Sequence, residues 1–287
     1  MTDRKYDIAM LLATRGRTTS LDRSIKTLVE LSDHPEKLQL MFAFDKDDDI
    51  GTTYFKSTLQ PWLDSKSVAY TAMKFNRLGY VNLHKYNNAL AKVSDSKWLM
   101  IWNDDAAMET TGWDSVIMSH TSEDLKLLSF RTHNMHPYSI FPIIPRVWFD
   151  LLGYISPHSS QDAWLSQQAY LLDIYERIPV DVLHDRFDLT GNNGDATFLD
   201  RHILEGKPLD PNDFHSIQNL RIRQGDCARL ATYMQQQGQS VEYFENVFKG
   251  TQEPWQRLLE NDPNNQMKQF NNPHFGKPAT AEPISTQ

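Results

Sequence analysis

Cysteine is nearly absent from this sequence, which has one, Cys227, among 287 residues. A single thiol excludes an intramolecular disulfide framework and any metal site made of several thiolates, and it fits a reducing compartment. No stretch approaches the roughly 18 to 20 consecutive apolar residues of a membrane-spanning helix. The apolar run 8–13 is also too short for the core of a secretion signal. We therefore expect a cytoplasmic protein without a transmembrane segment.

An excess of basic charge is missing as well, because 29 Lys and Arg stand against 37 Asp and Glu, for a formal net charge of -8. A protein whose main partner is a nucleic acid needs a basic surface, so that class of partner is not expected. Glycine is sparse after the first apolar run, where TRGRTT holds only Gly16. The GxGxxG motif of dinucleotide-dependent dehydrogenases is therefore absent from that position.

Hydrophobic residues make up 40% of the sequence and aromatic residues 11%, which is enough for a substantial core. Short apolar runs of strand length alternate with segments of helical period, which predicts an α/β fold with a mainly parallel sheet flanked by helices. The predicted strands are 7–14, 38–44, 67–75, 98–102, 125–130 and 178–183. The predicted helices are 21–29, 55–62, 83–93, 146–152, 162–172, 223–237 and 252–260.

We predict three parts of the chain. Residues 1–215 form the α/β domain, and residues 216–260 form a helical extension packed on it. Residues 261–287, rich in Asn, Pro, Gln and Thr, form a tail with little to bury. Within the first part, residues 185–213 are rich in Gly, Asn and Asp and have few apolar anchors, so we expect a long loop or lid there.

Polar side chains follow three of the predicted strands at the point where each strand ends. The clusters are Thr14, Arg15 and Arg17; Asp45, Asp47 and Asp48; and Asn103, Asp104 and Asp105. Ligands of open α/β sheets bind outside the carboxyl ends of the strands. Grouped carboxylates repel one another unless a cation lies among them, and oxygen ligands suit Mg²⁺ or Mn²⁺, while arginine suits phosphate. The pattern indicates a nucleoside diphosphate bound with a divalent ion.

The same segments resemble a known family. LLATRGRTTSLDRSI, FAFDKDD, RLGYVNLHKYNNALAKV and WNDDA resemble, in this order, motifs of the GT-A glycosyltransferases, and most closely those of family 2. The resemblance covers roughly residues 6 to 190. It implies a GT-A-like, Rossmann-like catalytic domain that moves a sugar from a UDP- or GDP-sugar to a hydroxyl of a glycan, lipid or protein acceptor. It also implies inversion at the anomeric carbon.

The resemblance assigns the donor side of the site. Asp45 contacts the nucleoside, and Asp105 ligates an Mn²⁺ or Mg²⁺ ion that bridges the diphosphate. Asn103 or Asp104 lies against the ribose or the metal. The other residues expected to bind the nucleotide sugar are Thr14, Arg15, Arg17, Arg77 and Asn87. A cation held there neutralises the negative charge that develops on the departing diphosphate.

The remaining matches concern the acceptor and the metal. In HSSQDAW, Gln161 stands where the family often has Glu, and Asp162 holds the position of the general base that takes the proton of the acceptor hydroxyl. In IPVDVLHDR, His184 holds the position of a third metal ligand. Asn103 departs from the family's DXD motif, because an amide replaces the first carboxylate. Metal binding is then either weaker or shifted to Asp104 and Asp105.

Simpler explanations stay open for these residues. NDD is typical of a turn after a buried strand, and DKDDD of a solvated loop. Asp162 is also explained as a helix N-terminal residue stabilised by the helix dipole, and His184 as a hydrogen-bonded residue without a metal.

Two other functions also remain. A sugar-phosphate nucleotidylyltransferase normally has a glycine-rich first loop, but TRGRTT holds only Gly16. A non-catalytic nucleotide- or carbohydrate-binding protein of this fold would tolerate Asn103 and Gln161.

Overall fold

The computed structural model describes residues 3–133, 136, 138–185, 214, 217–239 and 241. The strands of this part are β1 (Tyr6–Thr14), β2 (Leu38–Asp45), β3 (Ala69–Phe75), β4 (Ser96–Trp102), β5 (Ala106–Met108), β6 (Leu127–Thr132), β7 (Pro142–Pro145) and β8 (Tyr175–His184). Its helices are α1 (Thr18–Glu30), α2 (Asp49–Tyr54), α3 (Gln60–Ser65), α4 (Leu83–Val93), α5 (Trp113–Met118), α6 (Arg146–Leu152), α7 (Gln161–Leu171) and α8 (Ile217–Gln236). A π-helical turn at Phe55–Leu59 joins α2 to α3, and short 3-10 turns lie at Pro35–Lys37 and Tyr80–Asn82.

The strands form one curled sheet in the order β3-β2-β1-β4-β7-β6-β8-β5. One half is parallel, because β1 pairs with β2 and β4, and β2 pairs with β3. In the other half β7 runs antiparallel between β4 and β6, while β6 and β8 are parallel. The edge strand β5 pairs antiparallel with β8. The prediction of a mainly parallel α/β sheet flanked by helices is confirmed.

Alternating residues of β1 explain why helices cover both faces of the parallel half. Ile8, Met10 and Leu12 belong to a core that also contains the buried face of α1, whereas Ala9 and Leu11 belong to a second core with the buried face of α4. A strand covered on both faces has apolar residues in both registers, as parallel strands usually do. All eight residues of β2 are buried for the same reason. This packing fixes the strand ends that carry the polar clusters.

All six predicted strands are present, with ends that differ by a few residues. Four elements escaped prediction, namely β5, β7, α2 and α5. β5 has only three residues, which is too short for a recognisable alternation. β7 begins and ends with proline, a residue that lacks a backbone N–H and is normally excluded from central strands. Its place between β4 and β6 was therefore not visible in the sequence.

Helix α8 packs against α6 and α7 and buries Cys227, Leu230, Ala231 and Met234 in the core that α4 shares. It begins before the predicted helix 223–237 and ends close to the predicted end, just before Gly238 in the left-handed region at φ +77°. The division at residue 215 stays a prediction. The predicted loop 185–213 beyond its first residue, the helix 252–260 and the tail 261–287 lie outside the described residues. None of the described helices is long and apolar enough to cross a membrane.

Candidate functional site

The carboxyl ends of β1, β2 and β4 bring the three polar clusters together at one edge of the sheet. Ion pairs and hydrogen bonds connect them directly. Arg15 after β1 pairs with Asp45 at the end of β2, and Thr14 and Arg17 both bond to Asp104 after β4. The juxtaposition follows from topology, since β1 lies between β2 and β4 and all three run in the same direction.

Both carboxylate oxygens of the buried Asp45 have partners. Tyr86 donates its hydroxyl to Oδ1, and Arg15 Nη1 lies 3.1 Å from Oδ2. The Tyr86 hydroxyl also accepts from Leu78 N over 2.9 Å. Burial, together with the hydrogen bond to Asp45, raises the pKa of Tyr86 to about 12, so this hydroxyl stays a donor. Asp45 is thereby oriented by α4 as well as by the loop after β1.

Arg15 forms a two-pronged pair with the exposed Asp47, with N–O distances of 2.6 and 2.9 Å. Its hydrogen bond lowers the pKa of the Asp47 carboxyl, and the charge of Arg77 adds to that effect. Arg77 therefore lies in the electrostatic neighbourhood of Asp47. The structure thus places two of the predicted phosphate-binding arginines beside the carboxylates that follow β2.

Asp48 has a structural role in the same loop. Its Oδ1 accepts from Gly51 N over 2.9 Å at the start of α2, and its Oδ2 accepts from Gly16 N over 3.1 Å. Gly16 has φ +69°, a left-handed conformation that glycine adopts without steric cost. Asp48 therefore ties the turn after β1 to the N-terminus of α2. This role differs from the ligand role that the acidic cluster suggested for it.

Asp104 is buried and fully engaged with protein groups. Thr14 Oγ1 donates to Oδ2 over 2.6 Å, and Arg17 Nη1 donates to Oδ1 over 2.8 Å. Burial raises the pKa of Asp104 to about 6, and the neighbouring charge of Asp105 adds to the rise while Arg17 opposes it. Asp104 therefore joins the turn after β1 to the end of β4.

The antiparallel pair of β5 with β8 places Asp105 beside His184. Ala106 lies opposite His184, and Asp185 N donates to the carbonyl oxygen of Asp105 over 2.8 Å. His184 Nε2 is 3.5 Å from Asp105 Oδ1, and both side chains are largely buried. Burial alone pushes the pKa of Asp105 upward, but His184 and Arg17 outweigh it, so the pKa lies below its ordinary value. Asp105 Oδ1 is buried and makes no hydrogen bond within the described part of the chain.

Asn103 is held through its main chain. Its carbonyl oxygen accepts from Ser24 Oγ over 3.1 Å, and that hydroxyl accepts from Trp102 Nε1 over 2.8 Å. Helix α1 therefore fixes the first residue of the NDD segment. Asn103 thus lies at the same edge as Asp104 and Asp105, as predicted from its position after β4.

The acceptor-side candidates lie at the start of α7. Asp162 is in the first turn of this helix and is partly exposed, and the preceding Gln161 is buried. Gln161 Oε1 accepts from Asn87 Nδ2 of α4 over 3.3 Å. The next residue of α4, Asn88, bonds to the backbone of Ile155 and Ser156 in the loop before α7. Helix α4 therefore contacts both the carboxylate after β2 and the segment that bears Asp162.

Side chains of α8 contact α7 and stabilise its position. The fully buried Asp226 accepts from Gln168 Nε2 over 3.0 Å, and from Tyr154 and Arg229, each over 2.6 Å. Arg223 places its guanidinium 4.7 Å from the ring centroid of Trp164, a cation–π contact. These contacts hold the helix that carries Asp162.

No protein-family model matches the sequence, and no curated protein matches it. Among solved structures, the chain is similar to S. aureus TarS 1-349 in complex with UDP-GlcNAc, with a TM-score of 0.57 and 11% identity over 91% of this chain and 73% of that one. The mannosyltransferase PcManGT from Pyrobaculum calidifontis in complex with GDP-Man and Mn²⁺ is 13% identical over 87% of this chain and 80% of that one. Its TM-score is 0.49.

The chain has the GT-A fold. The order of strands and the polar clusters at their carboxyl ends therefore agree with the fold that the sequence motifs implied. At this level of identity, the similarity establishes the fold, and the role of each residue rests on the geometry described above.

A divalent ion fits the GT-A site only if the substrate supplies ligands too. In the part of the chain that the structure describes, no three His, Cys, Asp or Glu side chains come close enough to form a metal site. Asp105 and His184 could supply two ligands, since ligands about 2.1 Å from an ion lie about 3 Å apart when adjacent. The 3.5 Å between Oδ1 and Nε2 is near that spacing, and the buried Oδ1 has an unused lone pair. The donor set fits an ion shared with a diphosphate.

Two contributors to the site were missed from sequence. Tyr86 has the spacing of an apolar helix face, although its hydroxyl reaches Asp45. Gln161 was noted only as a replacement for Glu, whereas the structure shows it bonded to Asn87. The only available signal was that both lie next to residues already selected, Asn87 and Asp162.

Proposed function

We propose that this protein is a metal-dependent glycosyltransferase that moves a sugar from a UDP- or GDP-sugar to an acceptor hydroxyl with inversion. The observation that supports it best is the convergence, at one sheet edge of a GT-A fold, of Asp45, two arginines and the Asp105–His184 pair. The structure of TarS, the similar protein, contains UDP-GlcNAc, which supports a nucleotide-sugar donor here. The cytoplasmic location expected from the sequence stays a prediction.

On the donor side, each residue has a role that its surroundings support. Asp45, held by Tyr86, accepts hydrogen bonds from the nucleoside, while Arg15, Arg17 and Arg77 offer positive charge to the diphosphate. Thr14, Asn87, Asn103 and Asp104 complete the set proposed to bind or border the nucleotide sugar. Asp105 and His184 hold Mn²⁺ or Mg²⁺, which when bound neutralises charge on the departing diphosphate.

On the acceptor side, Asp162 is proposed to take the proton of the attacking hydroxyl. Its partial exposure in the first turn of α7 leaves the carboxylate accessible to an acceptor. The buried Gln161 beside it is bonded to Asn87, which fixes the helix end that carries the base. A carboxylate on the face opposite the leaving group gives inversion, because the hydroxyl that it deprotonates forms its bond to the anomeric carbon from the side opposite the breaking bond.

The proposal is tested by donor turnover in the presence of Mn²⁺, with release of UDP or GDP as the readout. Asp105→Ala should lose metal-dependent nucleotide binding and keep the fold. Asp162→Asn should keep nucleotide binding and lose transfer by about 100-fold or more. Asp64→Asn, at an exposed position on α3, is the matched control.

Each outcome separates the candidate functions. Pyrophosphate release from a nucleoside triphosphate and a sugar phosphate would instead identify a nucleotidylyltransferase. Nucleotide binding without any donor turnover would identify a non-catalytic binding protein of the same fold. Full transfer activity in Asp162→Asn would show that its role as base is wrong.

A further inference from the structure

Arg17 already places positive charge against the carboxylates proposed to border the metal. Its Nη1 lies 2.8 Å from Asp104 Oδ1 and 3.5 Å from Asp105 Oδ2. The side chain is 19% exposed and reaches the acidic pair from the turn after β1. One guanidinium thus contacts both carboxylates that follow β4.

The same contacts assign the two carboxylates different tasks. Each oxygen of Asp104 is hydrogen-bonded, one to Thr14 and the other to Arg17. In contrast, Asp105 directs Oδ1 toward His184 and Oδ2 toward Arg17. An ion held by Asp105 and His184 would share the Asp105 carboxylate with the Arg17 guanidinium. The ion and the Arg17 guanidinium would repel each other strongly, because the site is mostly buried and poorly screened by water.

A nucleoside diphosphate changes this balance. Its oxygens are ligands that the two-residue donor set lacks, and its negative charge attracts both the ion and the guanidinium. The unfavourable pair of cations then becomes a favourable arrangement of two cations around one polyanion. The hydrogen bond of Arg17 to Asp104 compensates the charge of this guanidinium within the protein.

We infer that Arg17 makes metal binding conditional on the nucleotide, so that the divalent ion binds together with the diphosphate and not before it. This inference rests on the proposed function, because it takes Asp105 and His184 as the metal ligands. Arg17 is a positioning residue for the ion and a direct ligand of the diphosphate. The order of binding is thus set by the charge of one side chain.

The test is titration of Mn²⁺ into the full-length protein, with loss of the free-ion electron paramagnetic resonance signal as the measure of binding. Wild type is titrated with Mn²⁺ alone, with UDP and with GDP, and the signal lost to the same nucleotide without protein is subtracted, because a diphosphate itself binds Mn²⁺. Arg17→Met removes the charge and keeps an unbranched stem, whereas Arg17→Lys keeps the charge. Arg23→Met is the matched control, because Arg23 pairs with Asp185 over 2.6 Å and its loss changes the net charge equally. Circular dichroism checks that each variant is folded.

We expect wild type, Arg17→Lys and Arg23→Met to bind Mn²⁺ measurably only with a nucleotide. Arg17→Met should bind Mn²⁺ alone at least about tenfold more tightly than wild type does. Adding Asp105→Asn to Arg17→Met should remove that binding. Equal binding of Mn²⁺ alone by wild type and Arg17→Met would overturn the inference and leave the proposed function intact. Absence of Mn²⁺ binding to wild type with either nucleotide would instead contradict the metal-dependent function itself.

Discussion

Asn87 in α4 donates a hydrogen bond to Gln161, the first residue of α7, over 3.3 Å between two buried amides. The residue before Asn87 is Tyr86, whose hydroxyl bonds to Asp45 at the end of β2. Consecutive residues of one helix therefore contact the proposed nucleoside carboxylate and the residue before the proposed base. This arrangement makes α4 the physical connection between the donor and acceptor sides of the site.

The Asn87–Gln161 bond should position Asp162 for proton transfer. Asn87→Ala leaves Gln161 Oε1 buried without its donor, so we expect kcat to fall about tenfold and stability to fall by about 1–2 kcal/mol. Gln161→Leu should have the same effect, and the double variant should be no worse than either single one. Gln161→Glu keeps an acceptor for Asn87 and should retain most activity. Additive losses in the double variant would show that the two residues act independently.

The Tyr86 hydroxyl should orient Asp45 toward the nucleoside. Tyr86→Phe leaves one oxygen of Asp45 and the Leu78 N–H without this partner. We expect the donor KM to rise about fivefold to tenfold with kcat unchanged, and stability to fall by about 1–2 kcal/mol. Tyr70→Phe is the control, since that hydroxyl bonds to the exposed Asp64. A fall in kcat at constant KM would contradict an effect on donor binding.

Asp226 should determine how firmly α8 holds α7. Asp226→Ala removes a fully buried carboxylate and leaves the donors of Tyr154 and Gln168 without it. We expect a loss of about 3 kcal/mol in the free energy of unfolding, measured by urea denaturation. Asp64→Ala, which removes an exposed carboxylate bonded to Tyr70, should cost less than about 1 kcal/mol. Similar losses in the two variants would mean that the buried network adds no stability.

His84 of α4 should make the fold sensitive to mild acid. Burial, helped by the charges of Lys85 and His158, lowers its pKa from 6.5 to about 4. The unfolded chain therefore binds a proton between these values while the folded chain does not, so this residue lowers stability as pH falls from 6.5 to about 4. His84→Gln should reduce the fall in unfolding free energy across that window. An unchanged pH dependence in His84→Gln would contradict this assignment.

The parallel half of the fold was predictable because its signals are local. Strands β1, β2 and β4 are nearly continuous apolar runs, and each ends in polar residues that interrupt the run. Parallel strands place their carboxyl ends at one edge of the sheet, so the proximity of Thr14, Asp45 and Asp104 could be predicted from the sequence. The observed bonds among these clusters agree with that expectation.

The rest of the site depends on contacts between distant segments. Asp105 meets His184 only because β5, with three residues, pairs with β8, and nothing in AAM predicts that pairing. The resemblance to a family suggested His184, whereas composition and periodicity did not. The Asn87–Gln161 bond likewise joins residues 74 positions apart. Such polar pairs depend on how the fold brings α4 near the start of α7 and are not encoded in either segment alone.

The most direct test of the account is thermal unfolding of the full chain with UDP, GDP and their sugars, each with and without Mn²⁺. A ligand that binds only the native state raises the unfolding midpoint. We predict a rise that requires both Mn²⁺ and one of the nucleotides, and that Asp105→Ala abolishes. No rise with any combination, from a sample shown to be folded, would contradict a donor site at this edge of the sheet.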